Sequence, residues 1–311
     1  MVVLIGFQKY LFKFKIILII MIYNLVFSGG GVKCISYIGL LKYFEENNIL
    51  KDIKHIIATS GGGIFSLMVL LGYSFSELKE LILSIDFNDL KDISCENILK
   101  FNENYGIDTG NKLMHLIQIM IEKKKLNKLI TFKELYDKIN IKFTLTGTCI
   151  EKNNIEYFNH ELTPDMEIII AIRITCSIPI IYNCVRYNNY TYIDGGILDN
   201  YPIKFCKKEI DNTLGFYLSV EPNQTKVHNI NSYIIGILLS MIRIHESKIV
   251  NKYKNNTIKI NCDFSSIDFN INKNQKKKAI NDGYKMINSY FIEKFIKEIV
   301  CNCIDNIIKN I

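Results

Sequence analysis

The stretch Ile56 to Gly72, IIATSGGGIFSLMVLLG, reads as a short buried strand, a sharp Gly-rich turn carrying Ser60, and an apolar helix. Ile64, Phe65, Leu67, Met68, Leu70 and Leu71 form a block too dense for a solvent-facing helix. A serine at such a junction stands at a helix N-terminus, where unpaired N–H groups and the helix dipole stabilise negative charge growing beside it. The turn approximates the nucleophile elbow G-x-S-x-G, with Ala58 in place of the first glycine. The same hexapeptide also suits an N-cap in a tight turn.

Working outward, Asn24 to Phe27, Gly29-Gly30-Gly31 and Val32 to Asn47 read as strand, glycine loop and helix. Three glycines before a helix expose a row of N–H groups, a nest for a phosphate or for the oxyanion of a tetrahedral intermediate. The phosphate alternative is disfavoured: no G-x-x-x-x-G-K-[ST] is present, and G-x-G-x-x-G fails at Cys34. Further on, a strand over Tyr190 to Ile193 delivers Asp194 into Gly195-Gly196. A carboxylate at a strand end beside two glycines is open to contact with a serine hydroxyl, as a general base must be. D-G-G also occurs as a plain turn.

Taken together, Gly29-Gly30-Gly31-Val32-Lys33, Ser60 in its glycine turn, Ser177-Ile178-Pro179 and Asp194-Gly195-Gly196 with Asn200 and Pro202 resemble the patatin-like phospholipase family in order and spacing. The resemblance runs from about Asn24 to Cys206, with a weaker echo at Gly283-Tyr284. It implies a three-layer α/β/α sandwich around a mostly parallel sheet. It also implies a phospholipase A-type lipid acyl hydrolase, a serine hydrolase working through a Ser-Asp dyad with no metal, no cofactor and no histidine. Ser60 matches the nucleophile, Asp194 its base, and Gly29, Gly30 and Gly31 the oxyanion loop. Gly61, Gly62, Gly195 and Gly196 support the two turns. Lys33 matches a basic position, expected to orient the loop or to meet a lipid phosphate. The implied partner is a phospholipid or other acyl lipid at a membrane or micelle surface.

Two other functions stay open at this stage. One is an α/β-hydrolase esterase with a Ser, Asp, His triad, since His228 and His245 follow Asp194. Against it, His245 falls on the apolar stripe Tyr233, Ile237, Met241 and Ile249 of a long helix, where a core or boundary histidine is expected. The other is a lipid-binding protein whose hydrolase site has decayed.

The 311 residues, 49% apolar and 22% charged, suffice for a substantial core. A net charge of +7 is too mild for a nucleic-acid groove but favours anionic membranes. Nine cysteines without metal-like spacing read as reduced thiols, which with the lipid substrate points to an intracellular, cytoplasmic protein that meets membranes peripherally. Residues 1–21 form a basic and apolar extension: a membrane-touching segment, a packed tail, or a stretch upstream of a functional start at Met21, the reading favoured here. Residues 22–207 hold the motifs, and 208–311 are expected to complete the same domain, since no Pro-rich or Gly/Ser-rich linker intervenes. Capping boxes are predicted at Ser74 and Thr131, a helix opened by Pro164, strands over Thr213–Val220 and Thr257–Cys262, a loop over Asn270–Lys278 and a final helix from Ala279.

Overall fold

Alternate residues of the first two strands go to opposite sides of the sheet. In β1 (Asn24–Phe27), Leu25 and Phe27 join one apolar cluster and Val26 another; in β2 (His55–Ala58), Ile56 and Ala58 join the first and Ile57 the second. Strands buried on both faces belong in the middle of a sheet with helices on two sides. The computed structural model, which describes residues 22–220, 227 and 230–309, has this three-layer α/β/α arrangement. The extension over residues 1–21 and His228 lie outside the described residues.

The remaining strands of the sheet are β3 (Lys142–Cys149), β4 (Asn154–Phe158), β5 (Val185–Tyr187), β6 (Tyr190–Asp194), β7 (Thr213–Val220) and β8 (Thr257–Cys262). Strands β8, β7, β1, β2 and β3 lie side by side in that order, all parallel. Because β7 sits between β8 and β1, residues beyond 208 build part of the same sheet as the motifs.

The edge of β3 decides where the motifs meet. Along one edge β3 pairs with antiparallel β4; along the other it meets parallel β2 over Lys142–Leu145 and then antiparallel β6 over Gly147–Cys149. Ala58 lies opposite Leu145 and Asp194 opposite Gly147, so β2 and β6 approach head to head and end two positions apart on a common strand.

One layer contains α1 (Tyr37–Glu46), α2 (Gly61–Leu70), α3 (Phe75–Ser84), α4 (Asn111–Lys123) and α5 (Ile168–Thr175). The second apolar cluster is covered by the Pro202–Cys206 turn and by α6 (Ile230–Lys252), which contributes Ile249. The last helix, α7 (Lys273–Lys309), crosses α1 so closely that a Cβ at Gly39 would lie 1.9 Å from the Ile280 carbonyl oxygen.

Both capping boxes form, each with its hydroxyl and its glutamate bonded reciprocally. Three expectations are corrected. Pro164 does not open a helix, because its carbonyl accepts from Lys133 N–H and Met166 accepts from Phe132 N–H; α5 starts after Glu167. The polar run from Lys273 is already helical rather than loop, with buried Lys276 donating to the Ile82 carbonyl. On α6 the buried face carries Glu246 and Ile249, while Tyr233, Ile237, Met241 and His245 are exposed.

Candidate active site

Ser60 follows β2 with φ 53° and ψ −132°, a left-handed conformation that costs a residue with a side chain about 1–3 kcal/mol. It persists because its surroundings hold it. The Ser60 N–H donates to Thr175 Oγ1 at the end of α5 (2.8 Å), and the preceding Thr59 hydroxyl pairs with that of Thr146 on β3 (2.7 Å). Gly62, in the first turn of α2, allows the helix to start against β1, since a Cβ there would lie 2.5 Å from the Ser28 carbonyl oxygen.

Asp194 ends β6 from the opposite direction. Its N–H donates to the Ser177 carbonyl (2.9 Å), and its own carbonyl accepts from the Thr148 hydroxyl (3.0 Å), so the backbone is held on both sides. The side chain is then aimed: Ser60 Oγ donates to Asp194 Oδ2 at 2.8 Å and Gly196 N–H to Oδ1 at 2.7 Å. Ser60 and Asp194 are 5% and 4% exposed, nearly sealed beneath the surface. Burial pushes the Asp194 carboxyl up to about 7, opposed by its two hydrogen bonds. A carboxyl titrating near neutrality and bonded directly to a serine hydroxyl has the geometry and basicity of a general base. Gly195 separates these groups from Thr146, whose hydroxyl oxygen would lie 2.1 Å from a Cβ there.

The glycine loop packs over this pair. Gly31, at φ 53°, faces the Ser266 backbone so closely that a Cβ would lie 2.0 Å from its carbonyl oxygen. Gly29 N–H donates to the Asn200 carbonyl (3.0 Å), which engages one of the three loop donors; Gly29 instead provides space, its missing Cβ lying 3.0 Å from Ser60 Cβ. Lys33 is fully buried, with Nζ donating to the Ser219 carbonyl on β7 (3.2 Å). Of its two anticipated roles this fits loop orientation, because a buried ammonium does not reach a lipid phosphate at the surface.

Sequence reading missed the support behind the loop. Glu246 of α6 is buried, accepts from Asn200 Nδ2, and accepts from Tyr217 Oη at 2.8 Å. Burial pushes its carboxyl up to about 7, with the Asn200 and Tyr217 hydrogen bonds opposing. Asn200 in turn meets Gly29 through its backbone carbonyl, so Glu246 braces the loop from the opposite layer. Thr175, Thr146 and Glu246 carry no local motif, and nothing in the sequence separates Glu246 from the other charged residues of the helix, Arg243, Lys248 and Lys252.

Two cavities border the glycine loop, with Gly31 lining both. One, of ≈150 Å³, is almost wholly apolar and lies among α2, α3 and α4, lined by Gly31, Gly61, Phe65, Met68, Leu81 and Leu116. The other, of ≈90 Å³, contains Ser60, Asp194 and Asn200 and is roofed by Leu239, Ile242 and Arg243 of α6. Among the described residues no histidine hydrogen-bonds to Ser60 or Asp194, and His245 is exposed.

The family profile of patatin-like phospholipases matches residues 25–206. An uncharacterized protein of Acanthamoeba polyphaga mimivirus is 30% identical over 282 residues, covering 87% of this chain and 94% of that one. A protein of Invertebrate iridescent virus 6 named as a probable lipid hydrolase is 30% identical over 188 residues, 60% of this chain and 63% of its own. Among solved structures, VipD from Legionella pneumophila superimposes with a TM-score of 0.60 at 17% identity, over 87% of this chain and 67% of that chain, which shows a shared fold.

Proposed function

The chain belongs to the patatin-like phospholipase family, whose members hydrolyse lipid esters, and from that premise we propose that Ser60 and Asp194 form its catalytic dyad for acyl-ester cleavage at a lipid surface. The observation that carries this is the 2.8 Å hydrogen bond from Ser60 Oγ to a buried carboxylate. Asp194 takes the hydroxyl proton as Oγ attacks the ester carbonyl, and returns it to the departing alcohol. An acyl-enzyme remains. Water, deprotonated by Asp194, then releases the fatty acid and regenerates Ser60.

The oxyanion would lie against the N–H groups of Gly30 and Gly31 at the start of the Gly31–Ser36 turn, each such donor contributing about 3 kcal/mol. The apolar cavity past Phe65 and Met68 suits the acyl chain, since its walls offer carbon and almost no polar partner. Among the described residues no helix is long and apolar enough to cross a membrane, and the proposal places the enzyme at the lipid surface.

The test is hydrolysis of mixed-micelle phospholipid and of p-nitrophenyl butyrate by wild type, Ser60→Ala, Asp194→Asn and His245→Ala. The first two variants should lose about 10³-fold or more in kcat on both substrates, and His245→Ala should match wild type. Loss in a folded His245→Ala protein would move the chain to a triad mechanism. Wild type that cleaves neither substrate and escapes a fluorophosphonate probe would refute hydrolysis.

A further inference from the structure

Helix α6 has two unlike faces. Leu239, Ile242 and Glu246 turn inward to the cavity of Ser60, and Ile249 is buried in the second apolar cluster. On the opposite side Tyr233, Ile237, Met241 and Ile244 are exposed by 53%, 39%, 65% and 65%. Spaced four, four and three apart, these four fall within about 80° of one another at 100° per residue, a single outer stripe. Four large apolar side chains on one helix face are an unusual thing to show to water.

Charge identifies the occupant. The stripe passes, on the same outer face, into Lys248 and Lys252, both exposed one and two turns beyond Ile244. The Pro202–Cys206 turn and the residues after it, which share the second apolar cluster with α6, expose Lys204, Lys207 and Lys208. Against these five cations the same turn exposes Glu209 and Asp211, and Glu209 already accepts from Asn24 Nδ2 (2.8 Å). An apolar stripe ending in lysines whose stems can reach to phosphates suits an anionic bilayer, which presents an apolar interior beneath a layer of negative charge.

We propose that α6 docks the protein on anionic lipid bilayers through Tyr233, Ile237, Met241 and Ile244, with Lys248 and Lys252 at the head groups. Docking there sets the roof of the catalytic cavity against the membrane that holds the substrate, because the helix that touches lipid outside touches Ser60's cavity inside. The same helix braces the glycine loop through Glu246 and Asn200, so bilayer contact and loop geometry share one element. The inference draws its substrate from the hydrolase reading, but its test needs no turnover.

Binding is measured by cosedimentation of the full chain carrying Ser60→Ala with phosphatidylcholine vesicles containing or lacking phosphatidylserine. Binding should require phosphatidylserine and fall about tenfold with Met241→Glu/Ile244→Glu, and several-fold with Lys248→Glu/Lys252→Glu. Both double variants should keep the circular dichroism spectrum and the melting temperature of the Ser60→Ala chain, which excludes unfolding as the cause. Equal binding by wild type and the Met241/Ile244 variant overturns the proposal. So does a concentration-dependent dimer that this variant breaks while vesicle binding is unchanged, which would make a second copy the occupant. Failure of the wild type to hydrolyse any ester would sink the hydrolase reading and leave the binding result intact.

Discussion

The Ser60 turn and the Asp194 turn end two strands on one edge of β3, yet they are held by different physics. Ser60 is held by backbone conformation: a left-handed φ, glycines on its helix side, and a hydroxyl of α5 on its N–H. Asp194 has an ordinary backbone, with Gly195 at φ −60°, and is held by space and hydrogen bonds. One turn is a local geometric device, whereas the other depends on what packs around it. In the proposed dyad a nucleophile needs its position defined and a base needs its basicity defined, so strain would serve Ser60 and burial Asp194.

The sharpest way to break that contrast is Gly195→Ala. No unusual φ is required there, so the substitution acts through space alone: its Cβ would meet Thr146 Oγ1 at 2.1 Å, Thr146 Cβ at 2.7 Å and the Thr146 carbonyl carbon at 2.8 Å. Backbone atoms cannot step aside as a side chain can, so Asp194 should move relative to Ser60 and kcat should fall about 100-fold. Steady-state kinetics with a melting curve as fold control checks this, and a loss of less than threefold would mean that the base tolerates displacement.

The pH dependence sharpens the same contrast. With the Asp194 carboxyl raised to about 7, kcat/KM should rise with pH up to that value and level off above it. Stability should run the other way. A carboxyl whose native pKa lies above its unfolded value of about 3.9 keeps its proton longer when folded, so stability falls as pH rises from about 4 to about 7. Asp194→Asn should therefore melt several degrees above wild type at pH 8 and near it at pH 4, while being inactive at both. Calorimetry showing the reverse order would mean that the buried carboxylate is stabilised in place.

The smallest effect is expected at the brace. Glu246 accepts through both oxygens, and protonation near 7 sets a proton against one of its two donors. Glu246→Gln can turn its oxygen to Asn200 and its amide to Tyr217 Oη, so its kcat should stay within threefold of wild type, with a shallower pH dependence below 7. Glu246→Ala should lose about tenfold in kcat through the loosened loop. Equal pH profiles for wild type and Glu246→Gln would remove Glu246 from the positioning of that loop.

How much of this was legible in the sequence follows the same division. Ser60, Asp194 and the glycine loop, the residues of the proposed dyad and its oxyanion site, stand out in the sequence because each sits in a run whose small residues leave few structural alternatives. The brace could not, since Glu246 lies 46 residues beyond Asn200 on another layer. The exposed side of α6 was misread for a related reason. Its apolar residues surround much of the helix, and hydrophobic periodicity assumes that apolar means buried. Pro164 shows the same limit at a turn: proline at a first helical position is favoured locally, but its carbonyl was needed by Lys133 N–H.

By itself the sequence determined the local shapes: where strands end, where glycine is obligatory, which turn carries a hydroxyl and which a carboxylate. Tertiary structure alone decided that β2 and β6 share an edge of β3, that burial raises Asp194, and which side of α6 meets water. The physical reason is range. Steric limits on φ and ψ act between neighbouring residues, whereas desolvation and register depend on segments far apart in the chain and exist only once those segments have packed.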